Sequence, residues 1–218
     1  MPHSCVPLVL RRTKSFLLMA VVVPMGLLVA PAVADVAAGK AAYMVCASCH
    51  GQNGEGNPAL NAPRIAGQEP WYISRQLAAY RAGHRGTAPG DVYGMQMKPM
   101  AMTSADPTTE ANLIEYIGTL SAPPADATIE GDAAAGQTGY AVCVACHGAN
   151  GEGNQALGGP KLAGQNDWYL VRQIKNYKSG LRGYDPADTY GMQMKPMAGI
   201  LADDKAINDV VAYINTLR

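Results

Sequence analysis

The 218-residue sequence predicts an all-α protein built from two tandem copies of one domain. Three observations carry that reading: the chain matches itself at a shift of 97 residues, its apolar residues recur at helical spacing, and the intervals between are glycine-rich with little strand signal. About half of the aligned positions are identical, which marks an internal duplication. Trp71-Tyr72 returns as Trp168-Tyr169, and Tyr93 through Ala101 returns as Tyr190 through Ala198. A stretch rich in Ala, Pro and Asp beginning at Ser121 separates the copies. The expected organisation is a leader over 1–34, a first domain over 35–121, a linker over 122–131 and a second domain over 132–218. Each domain then lies near the lower size at which a single core suffices.

The leader has the make-up of an export signal. Arg11, Arg12 and Lys14 form a basic start, and residues 16–29 form an apolar run short for a membrane span and followed by Pro31. Ala32-Val33-Ala34 supplies a small-x-small cleavage pattern, with Asp35 as the expected first mature residue; an uncleaved anchor is the alternative. Cleavage removes Cys5 and the chain's single Phe, Phe16. The mature chain then carries 14 basic against 17 acidic residues and no basic stripe in either half. That balance argues against nucleic acid as a partner, and leaves peripheral membrane association open.

In the first copy, residues 37–46 read as a helix. Residues 71–81 form another, with Ile73, Leu77 and Tyr80 on one face and Gly83 as its C-terminal cap. Asp106-Pro107 is an N-cap followed by proline at the first helical position, opening a helix that carries Leu113, Ile114, Tyr116, Ile117 and Leu120. In the second copy Asp203 takes the capping place, and Ile207, Val210, Val211, Ile214 and Leu217 form the apolar stripe. Lys98-Pro99 and Lys195-Pro196 predict extended backbone rather than helix, because a proline disfavours helical geometry in the residue before it.

Each copy contains Cys-x-x-Cys-His, at Cys46, Cys49 and His50 and at Cys143, Cys146 and His147. The pattern is the attachment signature of c-type haem. Two thiols three positions apart can add to the two vinyl groups of one haem, and the adjacent imidazole then reaches the iron. Two covalently bound haem c groups are therefore expected. A zinc site shared by the four cysteines would leave the repeated histidines unexplained. Thioredoxin-like redox motifs sit in βαβ surroundings that this chain lacks, and plain disulfides are the remaining alternative.

The sixth position of each iron also needs a ligand. The mature chain has one spare histidine, His84, whose partner in the repeat is Leu181, so a bis-histidine arrangement cannot serve both haems. The repeated Met-x-Met-x-x-Met segment can: Met95, Met97 and Met100 pair with Met192, Met194 and Met197. A thioether ligand raises the potential. The spacing leaves the three open, and those not on iron become packing around the haem edge. His84, beside Gly83 and Arg85-Gly86, reads as a solvated loop residue. Trp71 and Trp168 read equally well against haem or in the core.

With these motifs, the mature sequence resembles the cytochrome c4 family, dihaem periplasmic electron carriers built from two class I cytochrome c domains. In that family the distal methionine lies seven residues before a leucine that opens the last helix. Met194 and Leu201 reproduce the interval, and the repeat carries the assignment to Met97, although the first copy has Ser104 where the leucine should be. The resemblance therefore implies His50 and Met97, and His147 and Met194, as axial iron ligands, with Met100 and Met197 next in order. Gly39 with Tyr43, and Gly136 with Tyr140, resemble the pair that lets the last helix cross the first closely. Pro63 and Pro160 resemble the proline whose carbonyl accepts the proximal histidine's other ring proton.

The resemblance implies one-electron transfer in a periplasmic respiratory chain, from a membrane quinol-oxidising complex towards a terminal oxidase, with no bond chemistry by the protein. The alternative is a dihaem electron-accepting subunit of an enzyme complex such as a sulfide or thiosulfate dehydrogenase. A haem peroxidase would need an open iron position and a polar distal group, which the intact methionine segments argue against.

Overall fold

A computed structural model describes residues 1–2 and 34–217. Nearly all of the expected export signal, with Cys5 and Phe16, lies outside the described residues. No helix among the described residues is long and apolar enough to cross a membrane. Residues 34–217 lie in one compact unit in which the two halves repeat one helical plan.

In the first half, α1 (Val36–His50) runs straight into the Cys-x-x-Cys-His segment, with Asp35 Oδ1 accepting the Ala37 and Ala38 N–H groups at its start. A long loop leads to α2 (Pro70–Ala82), then α3 (Val92–Met102) and α4 (Pro107–Thr119). Gly83 caps α2 in the left-handed region, and Asp106 accepts the Thr109 N–H at 2.9 Å, so both predicted caps are present. In the second half the first helix is split into α5 (Ala133–Tyr140) and α6 (Val144–His147). Gly139 stands there where the first copy has Ala42, and glycine weakens a helix interior by about 1 kcal/mol. The remaining helices are α7 (Asp167–Ser179), α8 (Thr189–Gly199) and α9 (Asp204–Ile214), the last capped by Asp203 through the Ala206 N–H.

The predicted apolar faces become the cores. Ile73, Leu77 and Tyr80 of α2 are buried with Tyr43, Leu113 and Ile117, while Ile207, Val210, Val211 and Ile214 of α9 are buried with Tyr140 and Leu170. The first and last helices of each half cross with almost no gap. A Cβ on Gly39 would fall inside the Asn112 carbonyl, and one on Gly136 inside the Asp209 carbonyl. Tyr43 and Tyr140 pack beside these crossings against Tyr116 and Tyr213, with ring centroids 5.3 and 5.4 Å apart. Their hydroxyls donate to the carbonyls of Gly51 and Gly148, at 2.7 and 2.8 Å.

The methionine segments are helical, against the expectation of extended backbone. Asp91 and Asp188 accept the Gly94 and Gly191 N–H groups at 3.0 Å and open α3 and α8. Ala101 and Ala198, fully buried, anchor the far ends. Pro99 and Pro196 stand inside the helices, where each removes one hydrogen bond, to the carbonyl of Met95 or Met192. Both methionines are exposed, so water can serve the freed carbonyl. Capping and packing outweigh the local preference of the residue before proline.

The segment between the halves is tied down at both ends. Arg64 donates to the carbonyls of Ala122 and Pro123. Further on, Asp167 accepts the N–H groups of Thr128 and Ile129 and the Thr128 hydroxyl. Burial alone would push the Asp167 carboxyl up, but these bonds and that from the Trp168 N–H more than offset it and hold it below its ordinary value.

Candidate functional site

One continuous cavity of about 570 Å³ opens along the seam between the halves. Cys46, Cys49, His50 and Met97 line one end of it, and Cys143, Cys146, His147 and Met194 line the other. Each Cys-x-x-Cys-His segment reaches the wall because it closes the last turn of its helix, α1 or α6. All four cysteines are free thiols. Burial pushes Cys46 above its ordinary value, and burial together with Cys146 takes Cys143 to about 11. Neither resembles the activated thiolate of a redox motif. Among the described residues no three of His, Cys, Asp and Glu converge to hold a metal ion.

His50 and His147 are buried, with Nδ1 lying 2.7 Å from the Pro63 carbonyl and 2.8 Å from the Pro160 carbonyl. A carbonyl can only accept, so each Nδ1 carries the proton and each Nε2 is left with a free lone pair. Burial lowers both imidazoles below their ordinary range while the proline carbonyls pull the other way; at His147 the Glu69 carboxylate adds a second upward pull. Both rings are thus neutral bases in a defined tautomer, the state a metal-ligating histidine requires.

The helical methionine segments present Met97 with Met100, and Met194 with Met197, at a spacing of three residues that shares one helix face. All four line the cavity, whereas Met95 and Met192 do not and are 45% and 43% exposed. Met100 and Met197 are also exposed, while Met97 and Met194 are half-buried.

The seam holds a polar cluster that sequence reasoning passed over. Arg75 and Arg172, and Arg85 and Arg182, are repeat partners and all line the cavity. Arg85 donates to Gln76 and Gln173, and Arg182 to Gln173, Gln76 and the Tyr72 hydroxyl, at 2.7 to 3.3 Å. Arg75 stacks on Trp71 and on Tyr190 across the seam, 4.8 and 4.3 Å from the ring centres. Arg172 does the same with Trp168 and Tyr93, at 5.1 and 4.7 Å. The tryptophans therefore hold arginines and do not line the cavity. The Arg-Gln pairs at 75–76 and 172–173 were visible as identities in the repeat, but polar pairs on a helix look like a solvated face. His84 is partly exposed, as expected of a loop residue, but it is not isolated: its Nδ1 lies 2.8 Å from Asp185 Oδ2 in the other half, which makes it a seam residue.

The model of the family Cytochrome c matches residues 36–121 and again 133–218. The chain is 33% identical over 201 residues to cytochrome c4 of Stutzerimonas stutzeri, covering 87% of this chain and 92% of that one. The chain belongs to the cytochrome c4 family. The crystal structure of reduced recombinant cytochrome c4 from Pseudomonas stutzeri superposes with a TM-score of 0.64 at 29% identity, over 85% of this chain and all of that one. Thiosulfate dehydrogenase (TsdBA) from Marichromatium purpuratum gives a TM-score of 0.67 at 31% identity, over 84% of this chain and 40% of that one.

As a cytochrome c4 relative the protein is a dihaem electron carrier and not an enzyme, with two covalently bound haem c groups. Cys46 and Cys49 with His50, and Cys143 and Cys146 with His147, fit one haem each. The seam arginines fit the same groups independently. Among the described residues none of Arg75, Arg85, Arg172 and Arg182 lies within ion-pairing distance of a carboxylate. The Nε atoms of Arg85 and Arg172 are buried without any partner. Unpaired buried cations are costly, and the carboxylate side chains of haem are the anions such a cavity would take.

Proposed function

We propose that Cys46 and Cys49 hold one haem covalently, with His50 and Met97 on its iron, and that Cys143 and Cys146 hold the other, with His147 and Met194. The observation that carries this is one cavity lined in each half by a buried histidine and a half-buried methionine, His50 with Met97 and His147 with Met194. When bound, haem supplies a reversible one-electron couple. The chain's own residues do the rest. The proline carbonyls orient the imidazoles, and the thioethers favour the ferrous state. Because residues of both halves line one cavity, an electron received by one half can pass to the other inside the protein.

In this reading residues 1–34 are a cleaved export signal, 35–121 and 132–218 are the two domains, and 122–131 is the linker. The setting is the periplasm, where the protein takes electrons from a membrane quinol-oxidising complex and delivers them towards a terminal oxidase. The likeness to a thiosulfate dehydrogenase structure, of whose chain this one spans 40%, supports a second reading. There the same two haems serve as electron acceptor of a catalytic chain. Titration of the oxidised, haem-loaded protein with a one-electron reductant tests the carrier reading. Uptake of two electrons per chain, with no turnover of thiosulfate or peroxide, is expected. Uptake of one electron, or turnover by this chain alone, would overturn it. Reduction by thiosulfate only after a catalytic chain is added would favour the second reading.

A further inference from the structure

Each half reaches across the seam to grip the peptide beside the other half's proximal histidine. Gln68 Nε2 donates to the Lys161 carbonyl at 3.2 Å, and its repeat partner Gln165 donates to the Arg64 carbonyl at 2.9 Å. The next position breaks the symmetry. Asn166 Oδ1 accepts the Arg64 N–H at 2.7 Å, but its partner in the first half is Glu69, whose Oε2 accepts the Lys161 N–H at 2.9 Å.

These N–H groups belong to the same peptide units as the proline carbonyls. His147 Nδ1 donates to the carbonyl of Pro160, and the amide on the other side of that one peptide bond donates to Glu69. The unbroken chain is imidazole, peptide, carboxylate. In the first half it is imidazole, peptide, neutral amide, through His50, the Pro63–Arg64 peptide and Asn166. Hydrogen bonds in series polarise one another. A negative acceptor on the N–H makes the carbonyl a stronger acceptor, and the imidazole a stronger donor to whatever its Nε2 binds. The cations beside these peptides, Arg64 and Lys161, match in charge, so the carboxylate is the charge by which the two arrangements differ. Both grips are close-fitting, since a Cβ on Gly56 or Gly153 would strike Asn166 Oδ1 or Glu69 Oε2.

We propose that Glu69, a residue of the first half, is a positioning residue for the second half's haem, lowering its reduction potential through the Pro160–Lys161 peptide and His147, while Asn166 leaves the first haem without that effect. This rests on His147 being an iron ligand. A donor-strengthened imidazole stabilises ferric over ferrous iron, so a single acid-for-amide difference in the repeat shifts one haem's potential and not the other's. The domain seam is thereby part of the electronic tuning, each half completing the other's proximal side.

The test is a redox titration of the haem-loaded protein followed by NMR, in which each haem's signals are read separately, on Glu69→Gln and Asn166→Asp. Glutamine keeps an oxygen to accept the Lys161 N–H but removes the charge. With Glu69→Gln, the second haem's reduced-to-oxidised ratio at a fixed potential should rise about threefold or more, roughly 30 mV at 59 mV per tenfold, with the first haem unmoved. Asn166→Asp should lower the first haem's ratio by a similar factor and spare the second. In the ferrous protein the His147 Nδ1 proton resonance should also shift with Glu69→Gln. Unchanged potentials in both variants would overturn the proposal, as would equal shifts at both haems. A failure of the underlying assignment is distinguishable, because His147 would then show no iron-shifted signals even in the unsubstituted protein.

Discussion

Met194→Ala leaves the second haem five-coordinate while the first keeps its spectrum, and Met97→Ala does the converse. Each variant should bind one carbon monoxide per chain in the reduced state and lose half of the sulfur-to-iron charge-transfer absorption of the ferric protein. The affected potential should fall by on the order of 0.1 V, since axial ligands set haem potentials across a range of roughly 0.8 V and a thioether lies towards the upper end. Met95 and Met192 lie off the cavity wall, so alanine there should change neither ligation nor potential. The competing pair is Met100 and Met197, which share the wall but sit exposed at its edge. If Met197→Ala opens the second haem and Met194→Ala does not, the assignment moves one helical turn along α8.

Gly39→Val unfolds the first half and Gly136→Val the second. No rotamer change relieves the clash, because the Cβ would meet backbone, the carbonyls of Asn112 and Asp209. The helices must separate, which uncovers Tyr43 or Tyr140 and the core beneath. Overpacking of this kind costs about 3 kcal/mol or more, a large share of the stability of a domain this small. The haem content should therefore drop from two per chain to one, with an early unfolding transition in calorimetry. Gly118→Ala is the control: it sits in α4 with nothing within 4 Å of the added methyl group, and should raise stability slightly. If Gly39→Val keeps both haems and its full melting temperature, the close crossing is not what holds the domain together.

Much of the fold was legible because its signals are local. Asp106-Pro107 and Asp203 announce helix starts within three residues, and the stripe from Ile207 to Ile214 repeats at the helical period. The haem motifs are local too, and the resemblance supplied the proline contacts at Pro63 and Pro160. What stayed hidden depends on partners far along the chain. Pro99 reads as a helix breaker until the cap at Asp91 and the burial of Ala101 are known. His84 finds Asp185, and Arg85 finds Gln173, across intervals of 101 and 88 residues, and no periodicity reports such pairs. The duplication partly hid the seam: residues identical in both copies suggest a shared domain core, yet Arg75, Gln76, Arg85 and their partners face the other copy.

Exposure of the fully reduced, haem-loaded protein to carbon monoxide tests the central claim most directly. If each iron already holds a histidine and a methionine, the optical spectrum stays as it was. A carbon monoxide spectrum at either haem would mean an open or labile sixth position, contradicting the methionine assignment for that half and the account of the protein as a closed two-haem carrier.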